Sequence, residues 1–156
     1  MRGQPERDPE ALARRVRDYL AGGGEPPPLV GATALPLPLY NRGKVREMYD
    51  LGDRLLMVTT DRVSAYDVVM EQLIPGKGAV LTALSAFWFR QTAGLVENHL
   101  LTDDVVAALP ELARAHPEIV GRSLVVRKAR RIDVECVVRG YLAGSGWAEY
   151  RRHGTL

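Results

Sequence analysis

The chain contains a single cysteine, Cys136, so no internal disulfide can form and a reducing compartment is expected. It has no apolar run approaching the roughly 18–20 residues that a bilayer-spanning helix needs. It has almost no excess of charge either: the formal net charge is +2, which gives no global attraction to nucleic acid or an anionic membrane. The first eight residues are polar and carry no apolar signal core. His99, His116 and His153 stand apart from one another and from Cys136, without metal-ligand spacing, so the residues themselves assign no metal site. These absences leave a soluble cytoplasmic protein that engages neither nucleic acid nor membrane as the expectation.

What remains is ordinary globular material. Of 156 residues, 46% are hydrophobic and 26% charged, enough for one domain, or for one domain and part of another. Asp8-Pro9-Glu10 reads as a helix start, with an N-cap, proline in the first turn and an acid beside it. Leu12, Val16, Tyr19 and Leu20 share the face of that helix, which Gly22-Gly23-Gly24 ends. Five prolines between 25 and 38 predict an extended strap, with the helix laid on as an appendage. Segments 44–50 and 54–60 flank Leu51-Gly52-Asp53 as a β-hairpin. Leu55-Leu56-Met57-Val58 is apolar on both faces, which places the second strand centrally.

A third strand is predicted at 68–74. The clearest helix follows at 79–95, with Leu81, Leu84, Trp88 and Leu95 as its core stripe and Phe87 beside it. Short helices near 103–114 lead to two strands, 123–132 and 134–142, with Cys136 as a core thiol, and then a last short helix. The fold class is α+β: a largely antiparallel β-sheet with packed helices. Three units are expected, a helix and strap over 1–38, a β-rich body over 39–132, and the start of a second domain over 133–156.

Four constellations carry candidate chemistry. In Asn41-Arg42-Gly43-Lys44-Val45-Arg46 a glycine lets backbone N–H groups approach an anion while cations flank it, as in a phosphate-covering β-loop. The spacing is neither that of a Walker A loop nor G-x-G-x-x-G, and a solvated turn is the alternative. Asp61-Arg62-Val63-Ser64-Ala65-Tyr66-Asp67 offers carboxylates, a hydroxyl and a guanidinium after a buried strand, for a polar substrate or simply for a stabilised turn. Pro75-Gly76-Lys77-Gly78 before a helix suits an anion or a permissive turn, and the turn is favoured. In the segment 135–146, period-two alternation puts Glu135 and Arg139 on one strand face, with Ser145 between glycines beyond. Arg139 and Ser145 would grip a phosphate; an Arg139–Glu135 ion pair beside a plain turn is the alternative. The basic stretch 122–131 lacks interleaved aromatics and reads as a solvated edge or phosphate site.

Together these strings resemble the SAICAR synthase family. They are Gly43-Lys44-Val45-Arg46-Glu47-Met48-Tyr49, Thr60-Asp61-Arg62-Val63-Ser64-Ala65-Tyr66-Asp67, Ile74-Pro75-Gly76-Lys77-Gly78, Leu84-Ser85-Ala86-Phe87-Trp88-Phe89 and Val134-Glu135-Cys136-Val137-Val138-Arg139-Gly140-Tyr141-Leu142-Ala143-Gly144-Ser145-Gly146-Trp147. The resemblance covers residues from about Tyr40 onward. It implies a nucleotide-binding half of kinase N-lobe or ATP-grasp-like type, in an ATP- and Mg²⁺-using ligase. That ligase joins L-aspartate to the carboxylate of carboxyaminoimidazole ribonucleotide in purine biosynthesis, through an acyl phosphate. It further implies Gly43, Lys44, Val45 and Arg46 over the ATP phosphates and Lys128 and Ala129 near adenine. Arg139 and Ser145 would hold the substrate phosphate, Ser64 and Asp67 line a substrate pocket, and Glu135 lie at the reacting carboxylate. Family members are longer than this chain, so a C-terminal half or a second copy of the chain is an expected partner. A phosphate-binding module without ligase activity is the other reading.

Overall fold

The computed structural model describes residues 8–66, 68–130, 132–134 and 136–155. Helix α1, Pro9–Leu20, starts where the sequence says: the Asp8 carboxylate accepts from the Glu10 N–H at 3.0 Å. Strands β1 (Leu39–Arg42), β2 (Arg46–Asp50) and β3 (Arg54–Thr59) follow the proline strap. Next come β4 (Arg62–Ala65) and β5 (Val68–Leu73), then helix α2 (Lys77–Gln91). A short strand β6 (Leu100–Thr102) precedes helices α3 (Val105–Ala108) and α4 (Pro110–Ala115) and a 3-10 turn at Pro117–Ile119. Strand β7 (Ser123–Arg127) and helix α5 (Gly144–His153) complete the order.

The main sheet is antiparallel throughout, in the order β1-β2-β3-β7-β6. Strand β3 is central, and period-two alternation divides its side chains between two cores. Leu56 and Val58 join Tyr49 and Val125 against Leu12, Val16, Leu35, Val105 and Ile119. Leu55 joins Leu124 and Val126 against Ala86 of α2, with Met57, Phe89 and Leu100 at the margin. The first helix is therefore built into the core rather than laid on it. The α+β class with an antiparallel sheet is what forms.

Several details depart from the sequence reading. The segment after the central strand is not a loop: β4 and β5 pair as a separate hairpin, register Ser64↔Val69. Its tip passes through Tyr66, the one non-glycine residue with positive φ among those described. Helix α2 presents the opposite face to the one expected. Gly78, Ala79, Thr82 and Ala86 are buried, while Leu84, Phe87 and Trp88 are exposed, as is Leu95 beyond the helix end at Gln91. The cause is close approach. A Cβ on Gly78 would collide with the Thr59 carbonyl oxygen and stand 2.7 Å from Arg122 Nη1. A helix this near a strand can turn only small residues inward.

The second of the two late strands is absent among the described residues of 134–142. Val138 is 96% exposed and Cys136 is a free, exposed thiol rather than a core one. A strand is held by a neighbour's ladder, and no described strand pairs with this segment. Strand β7 likewise ends at Arg127, short of the expected 132.

Candidate functional site

The strap is fixed to the sheet by two buried carboxylates that shape the site from behind. Glu47 on β2 is fully buried and accepts from the Thr33 N–H at 2.8 Å and the Thr33 hydroxyl at 2.6 Å. Arg42 Nε lies 3.0 Å and Arg62 Nη1 3.3 Å from its other oxygen. Burial alone would raise the Glu47 carboxyl; the Thr33 hydroxyl and N–H, then Arg42 and Arg62, outweigh it and hold the group below its ordinary range. Arg62 also donates to the Gly43 carbonyl at 3.1 Å, so the buried network reaches the glycine turn itself.

Asp61 is the second carboxylate. The sequence offered it as a possible substrate ligand, but it is fully buried and spent on structure. It accepts from the Val30 N–H at 2.8 Å and the Gly78 N–H at 2.9 Å, and Arg122 Nη1 lies 2.9 Å away. Arg122 is correspondingly 1% exposed, not part of a solvated basic edge. One carboxylate thus ties together the strap, the end of β3, the first turn of α2 and the start of β7.

On this frame sits the turn between β1 and β2. The Gly43 N–H donates to the Arg46 carbonyl at 2.8 Å, closing the turn tightly. The Val45 carbonyl accepts from both the N–H and hydroxyl of Thr60, at 3.0 and 2.9 Å, which anchors the turn to the end of β3. Lys44 and Arg46 are exposed along it. The Arg46 side chain makes no hydrogen bond or ion pair among the described residues. It borders a cleft of about 130 Å³ lined also by Met57, Thr59, Thr82, Ser85, Phe89 and His99. Burial, and then the charge of Arg46, lower the His99 pKa from its ordinary value.

The remaining candidates are placed as follows. Lys128 donates to both Asp50 oxygens, at 2.9 and 2.7 Å, and to the Gly52 carbonyl at 3.0 Å. It therefore sits at the opposite end of β2 from Arg46, about 13 Å along the strand, with exposed Ala129 beside it. Ser64 is half-buried on β4. Arg139 and Ser145 do come together: both line an open pocket at the start of α5 with Gly140, Tyr141 and Gly146. Gly144 has φ +64, and a Cβ there would meet the Arg139 guanidinium at 3.2 Å, so the cation lies directly over the helix start. Glu135 and Asp67 lie outside the described residues, as does Arg131. The sequence reading missed Thr82, which looked like one more helix residue, and His99, which looked isolated. It set Lys77 aside as part of a turn.

Magnesium, implied by the resemblance, finds no fitting donor set among the described residues. Among the described residues no group of three or more His, Cys, Asp or Glu stands close enough to hold a metal ion. Asp61 and Glu47 are already engaged by buried protein donors. Among the described residues no helix is long and apolar enough to cross a membrane.

The SAICAR synthetase family model matches residues 39–155. A phosphoribosylaminoimidazole-succinocarboxamide synthase of Geobacter sulfurreducens is 50% identical over 129 residues, covering 82% of this chain and 44% of that protein. The protein of the same name from Syntrophobacter fumaroxidans is 53% identical over 132 residues, 83% of this chain and 44% of its own length. Among solved structures, a SAICAR synthase from Saccharomyces cerevisiae in complex with SAICAR superposes with a TM-score of 0.75 at 43% identity. That superposition covers 81% of this chain and 46% of the yeast chain. The chain spans less than half the length of these relatives.

Proposed function

The chain belongs to the SAICAR synthetase family, and from that premise we propose that it is the nucleotide-binding half of an ATP-dependent carbon–nitrogen ligase. The reaction joins L-aspartate to the carboxylate of carboxyaminoimidazole ribonucleotide. A carboxylate oxygen attacks the terminal phosphorus of ATP and ADP leaves, giving an acyl phosphate. The aspartate amine then attacks the acyl carbon, inorganic phosphate departs and the nitrogen loses a proton. Magnesium, when bound, would offset triphosphate charge; no step here is assigned to it.

The observation that carries the reading is the turn at Gly43, Lys44, Val45 and Arg46. Its backbone is fixed on both sides by Thr60 and Arg62, and it presents two cations over an open sheet end. Such a turn grips phosphates with little reorganisation. In this proposal Lys128 and Ala129 border the adenine end, and Arg139 and Ser145 hold the ribonucleotide phosphate. Ser64 and Asp67 line the pocket for the ribonucleotide or aspartate, and Glu135 lies at the reacting carboxylate. Residues 39–132 form the nucleotide-binding body, 1–38 its helix and strap, and 133–156 the beginning of a substrate-binding domain. The working compartment is the cytoplasm.

A crystal grown with a non-hydrolysable ATP analogue tests this. Phosphate oxygens within hydrogen-bonding distance of Lys44 and Arg46 are expected. An analogue bound elsewhere, with the 43–46 turn empty, would refute it.

A further inference from the structure

Lys77 opens α2, and its ammonium makes no hydrogen bond and no ion pair among the described residues. Its surroundings are nevertheless organised. Arg46 is the register partner of Thr59, and Gly78, the next residue after Lys77, packs directly on the Thr59 carbonyl. Two unpartnered cations are thus brought together from β2 and α2 through one point of contact at Thr59. They are close enough to sense each other. Burial lowers the Lys77 pKa; Asp61 acts against that, and Arg46 adds to the lowering. Asp61 is not Lys77's hydrogen-bonding partner: its oxygens accept from the Val30 and Gly78 N–H groups and lie against Arg122.

A separate observation concerns the cleft that Arg46 borders, whose lining does not itself include Lys77. Thr82, one turn further along α2, is 4% exposed, and its hydroxyl has no hydrogen-bond partner. It lines the cleft of about 130 Å³ that Arg46 borders, with the Ser85 hydroxyl, already donating to Leu81, beside it. A buried hydroxyl without a partner costs free energy unless something fills the site. At about 130 Å³ the cleft has room for a phosphoryl group.

We propose that Lys77 and Arg46, with the Thr82 hydroxyl, bind the terminal phosphoryl group of the nucleotide, Lys77 being the residue that distinguishes a triphosphate from a diphosphate. This rests on the reading of the 43–46 turn as the nucleotide site and adds to it a second element, α2, which the turn alone does not supply. Two cations on a dianionic terminal group neutralise charge that a single lysine on the turn would leave exposed.

The test is calorimetric titration of the full chain and its Lys77→Gln, Lys77→Arg and Thr82→Val variants with ATP, ADP, AMP and pyrophosphate. The wild type should prefer ATP to ADP. Lys77→Gln should weaken ATP about tenfold, the scale of one charge-assisted hydrogen bond, with ADP and AMP within about twofold. Lys77→Arg should retain most of the preference, and Thr82→Val should lower it less than Lys77→Gln does. The Lys77 variants should keep the wild-type melting temperature, since that ammonium bonds nothing in the fold. Nucleotide binding with an unchanged ATP preference in Lys77→Gln, or an equal loss for all three nucleotides, overturns the role of Lys77 and leaves the turn's role intact. A wild-type chain that binds no nucleotide overturns both.

Discussion

Replacing Asp61 by alanine removes a side chain with three separate structural duties. Arg122, 1% exposed, would lose its counter-charge. Breaking one side of a buried ion pair costs about 3–5 kcal/mol. The N–H groups of Val30 and Gly78 would lose their acceptor, at about 1–3 kcal/mol each where water cannot reach them. The three losses share one carboxylate and some relaxation, so they do not add; a net destabilisation of about 5 kcal/mol is expected. Against a total of about 5–15 kcal/mol for a typical domain, that is a third or more of the stability. The melting temperature should fall by roughly 10–20 °C.

Urea and thermal unfolding followed by circular dichroism measure this. The double variant Asp61→Leu/Arg122→Met removes both charges, so it should regain the ion pair's share and stay below wild type only by the two orphaned amides. A loss under about 1 kcal/mol in Asp61→Ala, with cooperative unfolding, would refute the assignment of Asp61 as the joint between strap, sheet and α2.

Two further outcomes follow from the same geometry. The Glu47 carboxyl is held below its ordinary range, so its stabilisation is full above the unfolded value of about 4.3 and drains as pH falls through the lower folded value. The stability gap between wild type and Glu47→Gln in urea should therefore narrow from about pH 6 towards pH 3, whereas a constant gap would deny the shift. At the start of α5, a sulfate soak should place an oxyanion within hydrogen-bonding distance of both Arg139 and Ser145, whereas a pocket that stays empty at saturating sulfate would count against that site.

Much of this fold was legible locally. The Asp8 cap, the proline strap, the hairpin around Gly52 and the central, doubly buried strand all follow from short-range chemistry. The turn at Gly43 was readable as a turn into a strand. What was not legible depends on contacts distant in sequence. The orientation of α2 is set by Gly78 meeting Thr59, and periodicity alone made Leu84 and Trp88 look like core. The duty of Asp61 depends on Val30 and Arg122, far away on either side in the chain. The apolar run 134–142 carried a strand pattern, but pattern cannot supply a neighbouring strand. Lys77 was visible as a residue, but its position relative to Arg46 depends on Gly78 packing on Thr59, which periodicity does not show.

The account's central claim is that the turn at residues 43–46 holds nucleotide phosphates. Calorimetric titration of the chain with ATP, beside its Lys44→Ala variant, tests that most directly. The account predicts saturable binding at one site, weakened in Lys44→Ala by about 1–3 kcal/mol as one charge-assisted contact is lost. Equal affinities for the two proteins, or no ATP binding by a folded wild-type chain, would contradict it.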